Sequence, residues 1–78
     1  MYETTEYFRE QVLRKRPYLT VEICSEVIEH ATRTEVQRDG RIRFWAPVVR
    51  LGGRFLRVVT LEDGKTIHNA FLDRRFRA

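Results

Sequence analysis

Arg57, His68, Arg74 and Arg75 are the side chains whose types and spacing could do chemistry in this 78-residue chain, and that chemistry would act on a phosphate. A guanidinium presents a planar fork of donors that matches two phosphate oxygens. An imidazole with an ordinary pKa of about 6.5 can carry a proton near neutral pH. Arg57 stands inside the apolar run Phe55-Leu56-Arg57-Val58-Val59, where a charged side chain is costly unless it meets an anion, meets an acidic partner or snorkels to water. His68 lies between Ile67 and Asn69; a strand histidine commonly packs or faces solvent, and a catalytic role is the sharper reading. Arg74, Arg75 and Arg77 follow as a terminal basic run, read either as a solvated tail or as further phosphate ligands beside Arg57. Arg41, Arg43, Arg54 and Arg77 are expected to widen the nucleic-acid-binding footprint without doing chemistry. His30, near a helix end, is expected to complement the helix dipole only.

The elements that must position these groups follow from pattern. Residues 4–16 read as a helix, with Thr4 or Thr5 as cap, Arg14, Lys15 and Arg16 at its negative end, and Pro17 closing it. A second helix is expected from about Val21 to about Thr32, with Thr20 as N-cap and Leu19 stapled onto Cys24. Its buried stripe is Ile23, Cys24, Val27, Ile28 and Ala31. Four strands are expected at about Arg33–Arg38, Arg41–Ala46, Arg54–Glu62 and Lys65–Leu72, separated by Asp39-Gly40, a wider loop from Pro47 to Gly53, and Asp63-Gly64. A two-residue Asp63-Gly64 turn sets Leu61 opposite Thr66, Val59 opposite His68 and Arg57 opposite Ala70. Arg57 and His68 then become diagonal neighbours on one face, roughly 7–8 Å apart, within the span of one phosphate. The expected fold is α+β: two N-terminal helices packed on a four-stranded antiparallel sheet, in a single domain over residues 1–78.

Charge is divided along the chain. Residues 36–78 carry ten Lys/Arg against four acids, whereas residues 1–35 carry five against seven. An arginine-rich sheet under a more acidic helical cap points to an anionic partner, RNA or DNA. Trp45, Phe44, Phe55 and Phe71 could stack bases, although a domain this small needs its aromatics in the core. With one cysteine and two histidines, and no C-x-x-C or H-E-x-x-H pattern, the sequence points to no metal site and no internal disulfide. It carries no Gly-rich phosphate or dinucleotide fingerprint and points to no cofactor. The N-terminus lacks the layout of a signal peptide and no apolar run is long enough to span a bilayer, so a cytoplasmic location without membrane contact is expected.

Two short helices, a strand Gly53-Arg54-Phe55-Leu56-Arg57-Val58-Val59, and a closing stretch Ala70-Phe71-Leu72-Asp73-Arg74-Arg75 resemble the RelE/ParE superfamily of bacterial type II toxins. More narrowly, with Leu19-Thr20 opening the second helix, they look like a branch of small uncharacterised domains related to it. The resemblance covers most of the chain. It implies a toxin–antitoxin component: a metal-independent endoribonuclease, often acting on ribosome-bound mRNA, neutralised by a cognate antitoxin protein bound in trans. It matches Arg57 to the mid-sheet arginine at the scissile phosphate and Arg74 or Arg75 to the second basic residue, with His68 as proton carrier. The chain departs from the family in ending Phe76-Arg77-Ala78, where a Tyr or His is common, and in reading as having no strand before the helices. The ParE branch acts on gyrase, so likeness of fold alone leaves the target open. The alternative function is a non-catalytic basic module that holds nucleic acid or a partner protein. A third is a subunit that pairs through a sheet edge.

Overall fold

The computed structural model describes residues 2–77. Thr5 opens the first helix, as expected of a cap: its Oγ1 accepts from the Phe8 N–H at 3.1 Å. The helix occupies residues 6–15, wound as a π-helix over Phe8–Val12 and as an α-helix over Leu13–Lys15. It stops at Arg16, held out of the helical region (φ −127°, ψ 79°) by the proline that follows. The second helix, Val21–Glu29, is capped by Thr20, whose side chain accepts from the Ile23 N–H. It ends three residues earlier than about Thr32 because the chain turns at His30 (φ −118°, ψ 25°) to enter the sheet.

The expectation of a four-stranded antiparallel sheet is wrong. The sheet has five strands in the order β1-β5-β4-β3-β2: β1 Glu3–Thr4, β2 Arg33–Val36, β3 Ile42–Val48, β4 Arg54–Thr60 and β5 Thr66–Leu72. The strand β1 precedes both helices and lies parallel to β5, so the sheet is mixed. Two residues are too few to show an alternating pattern, and only the donations from Glu3 N–H to Lys65 O (3.1 Å) and Thr5 N–H to Ile67 O (3.0 Å) reveal it. The remaining pairings are antiparallel.

Pro47 also differs from expectation. It lies within β3, opposite Phe55, not in a loop. The outer neighbour β2 has ended by then, its last partner on β3 being Trp45, so no ladder bond is asked of the missing N–H. The chain reverses after a 3₁₀ turn at Val49–Leu51, with Gly52 and Gly53 at φ +74° and +76°, a region that β-carbon-bearing residues enter only under strain.

Both helices cover one face of the sheet. Phe8, Val12, Leu19, Ile23, Cys24 and Val27 form one cluster with Ala46, Val48, Leu56, Val58, Ile67 and Ala70. Leu19 and Cys24, the expected staple, both belong to it. Fully burying each Val, Leu, Ile or Phe of this cluster contributes about 1.5–3 kcal/mol. Alternation along β3, β4 and β5 then turns Arg43, Trp45, Arg57, Val59, Asn69 and Phe71 to the other face. Among the described residues no helix is long and apolar enough to cross a membrane.

Candidate functional site

A β-bulge reorganises the residues expected to meet. The Leu61 N–H donates to Thr66 O at 2.9 Å, matching the expected start of the hairpin. Thr60 then pairs with Ile67 but Val59 with Asn69, so His68 is the extra residue of β5. From there every partner shifts by one: Arg57 faces Phe71, and Ala70 faces Val58. The expected pairs Val59–His68 and Arg57–Ala70 do not form. An inserted residue bends the strand and breaks the strict alternation on which the sequence register rested.

The shift gives Arg57 a partner from its own chain. Its guanidinium lies 5.4 Å from the Trp45 ring centroid and 4.7 Å from that of Phe71, one aromatic from each neighbouring strand. Its Nε and Nη2 donate to Asp73 Oδ2 at 3.1 and 2.9 Å. The same oxygen accepts from Trp45 Nε1 at 3.0 Å, and Oδ1 accepts from the Arg75 N–H at 3.1 Å. The Asp73 carboxyl is held below the usual carboxylate range, first by the Trp45 hydrogen bond and then by those from Arg57 and Arg75. Arg57 thus meets the acidic partner its surroundings demand, and its Nη1 is left over.

The C-terminal turn completes this cluster. Phe76 stacks on Trp45 (centroids 5.0 Å apart, planes at 16°) and tilts against Phe55 at 4.8 Å. Residues 73–76 therefore fold back over one end of the face that the helices leave open. Trp45 is almost fully buried in consequence, which withdraws it from base stacking.

His68 is placed elsewhere. Its Nδ1 lies 3.1 Å from Thr5 Oγ1, and its ring packs against Tyr7 with centroids 5.0 Å apart. Burial, and secondarily the Arg41 charge, push its pKa below the ordinary histidine value, so the ring is neutral at neutral pH. The structure brings His68 together with Thr5, Tyr7 and the field of Arg41, and sets the Arg57 cluster about Asp73.

The other arginines divide. Arg43 stands opposite both Glu35 and Val59 on the open face; its Nη1 is 3.8 Å from Glu35, and its buried Nε has no hydrogen-bond partner. Arg41 keeps a loose 3.9 Å contact with Asp39. Arg54, opposite Val48, falls on the alternation of Leu56 and so departs from the face of Arg43; its Nε donates to Leu51 O at 2.7 Å. Arg74 and Arg75 are exposed. Arg77 Nη1 reaches only backbone oxygens of Arg74 and Phe76, at 3.4 Å.

Asp73, Thr5 and Tyr7 are the residues sequence reasoning missed as partners. Asp73 carried one signal: it is the acid between an apolar strand and a basic run. Thr5 and Tyr7 carried none, because their closeness to β5 depends on β1. Among the described residues no group of three or more His, Cys, Asp or Glu side chains converges on a metal-sized site. Compared with known proteins, the chain matches no family model, no curated protein and no solved structure.

Proposed function

We propose that this protein binds RNA on the sheet face opposite its helices, as a basic binding module. The observation that carries this reading is the balance of groups on that face. Arg43, Arg57 and Asn69 are half-buried there, with Arg41 and Arg33 at its margins. Glu35, Asp39 and Asp73 are the acids that pair with these four arginines, so one cationic group stays in excess. Partly dehydrated guanidinium groups in a row suit a phosphate backbone, and Asn69 adds a donor and an acceptor for a base edge or ribose.

Fluorescence anisotropy with a labelled single-stranded RNA tests this. Wild type should bind with affinity falling steeply as salt rises, and Arg41→Gln/Arg43→Gln should weaken binding and flatten the salt slope by about 2 charges. Binding that ignores both salt and these substitutions would sink the reading.

One observation favours cleavage as a second reading. His68 is neutral, and in the tautomer whose Nδ1–H donates to Thr5 Oγ1 its Nε2 keeps a lone pair that can take a proton. In the RelE-like mechanism the ribose 2′-oxygen attacks its own phosphorus, the P–O5′ bond breaks, and a 2′,3′-cyclic phosphate and a 5′-hydroxyl result. Arginine would stabilise the added charge; Asp73 competes with a phosphate for Arg57, which is why binding is placed first. A cognate antitoxin would then silence the protein by covering the same face. Cyclic-phosphate ends formed in the presence of EDTA by wild type and not by His68→Gln would support a toxin. Intact RNA together with unimpaired growth on induction would leave the binding module alone.

A further inference from the structure

At the open ends of β4 and β5 the C-terminal turn shapes a cavity of about 370 Å³ lined by Arg54, Phe55, Leu72, Asp73, Arg74, Phe76 and Arg77. That volume lies in the small-molecule range of roughly 300–1,000 Å³, near its lower end, and suits one nucleotide better than a continuing strand. Its apolar surface comes from Phe55, Phe76 and Leu72, and the two phenyl rings lie at 47° to each other. Three arginines are on its lining, and none has an acidic side chain within ion-pair distance among the described residues. The one carboxylate on the lining, Asp73, is neutralised by Arg57 and turned toward Trp45.

We propose that this cavity receives the terminal nucleotide of a single-stranded nucleic acid that ends in a phosphate monoester. The base would lie against Phe55 and Phe76, and the phosphate among Arg54, Arg74 and Arg77. A backbone diester carries one negative charge, whereas a monoester carries about 1.5 to 2 at neutral pH, with three acceptor oxygens for bidentate guanidinium forks. Three arginines without an acidic partner among the described residues, beside an apolar floor, match the monoester. Base–aromatic stacking tolerates any base, so the site selects the phosphorylated end and not the sequence. The inference rests on the RNA-binding reading and supplies its chain-end specificity.

Titration calorimetry of the full chain with three hexauridylates tests it: one 5′-phosphorylated, one 3′-phosphorylated, one with hydroxyls at both ends. A phosphorylated oligomer should bind at least about tenfold tighter than the hydroxyl form, a difference of about 1.4 kcal/mol, and the preferred end identifies the polarity. In Arg54→Gln/Arg74→Gln the ratio between the phosphorylated and hydroxyl oligomers should fall to about one, whatever general loss of affinity follows from removing two charges. Uridine monophosphate should also shift the ring-proton resonances of Phe55 and Phe76. Equal affinity for all three oligomers, with no ring shifts, would overturn the cavity assignment while leaving the sheet-face reading standing. Uridine monophosphate bound at the rings without affinity for any oligomer would overturn the RNA reading and leave a free-nucleotide site.

Discussion

Arg57 and Asp73 form an ion pair in which one carboxylate oxygen holds two guanidinium nitrogens, at 3.1 and 2.9 Å. The Asp73 side chain is only 9% exposed and that of Arg57 25%. The pair therefore works where water screens it poorly, and it fastens the C-terminal turn to the middle of the sheet through Trp45.

Asp73→Asn should lower stability by about 1–3 kcal/mol, since hydrogen bonds to a charged group are replaced by weaker neutral ones. The pKa of Asp73 is depressed in the fold, so its contribution is complete above the unfolded value of about 3.9 and is lost as pH falls through the folded value. Urea midpoints measured across the acid range should fall less steeply in Asp73→Asn than in wild type. Parallel acid limbs would contradict the pairing.

The same substitution should raise affinity for RNA while it lowers stability. Removing the carboxylate leaves Arg57 in its aromatic slot without an anion, and a phosphate can take that place. Anisotropy titrations of wild type and Asp73→Asn at one salt concentration decide it; unchanged affinity would exclude Arg57 from the bound surface.

His68 should titrate below the ordinary histidine range when followed by its imidazole proton resonances. Its proton is held less tightly in the fold than in the unfolded chain. Its stabilising contribution is therefore present above about pH 6.5 and is lost as pH falls toward the folded value. Arg41→Gln removes the repelling charge and should move the midpoint upward, though not fully to the ordinary value, because burial is the larger cause. An unmoved midpoint would remove Arg41 from the surroundings of His68.

Leu56→Ala should cost roughly 2–5 kcal/mol, because Leu56 is fully buried at the centre of β4. At roughly 0.05–0.15 kcal/mol per residue a domain of this length holds about 4–12 kcal/mol in all, so the variant should lose a large part of its urea resistance. A loss under about 1 kcal/mol would mean that the helices do not cover this face.

Cys24 should be inert to thiol reagents until the protein unfolds. It is fully buried, and burial pushes its thiol up to about 12, so thiolate is scarce at mildly alkaline pH. Reaction with a colorimetric disulfide reagent should be slow in buffer and complete in concentrated guanidinium chloride.

Much of the fold was readable because it depends on contacts between near neighbours in the chain. Thr20 caps the second helix through a hydrogen bond three residues long, and Ile23, Cys24 and Val27 show their stripe by spacing alone. Asp39-Gly40 and Asp63-Gly64 both lie in reversals between paired strands, with Gly40 and Gly64 at positive φ. The bulge at His68 was not readable, since residues 66–72 offer no local signal for an inserted residue. That one residue decided the candidate site, because it set Arg57 against Phe71 instead of Ala70.

The sequence by itself determined the α+β class, the two helices, the four longer strands and the concentration of arginine in the second half. These follow from periodicity, capping and turn chemistry, which act over a few residues. The tertiary structure alone decided the fifth strand, parallel to β5, and the meeting of Thr5 with His68 across 63 positions. It alone folded Phe76 onto Trp45 and closed Asp73 on Arg57. Those contacts join parts of the chain whose closeness depends on how the whole sheet is ordered, and no local pattern of residue types carries that information.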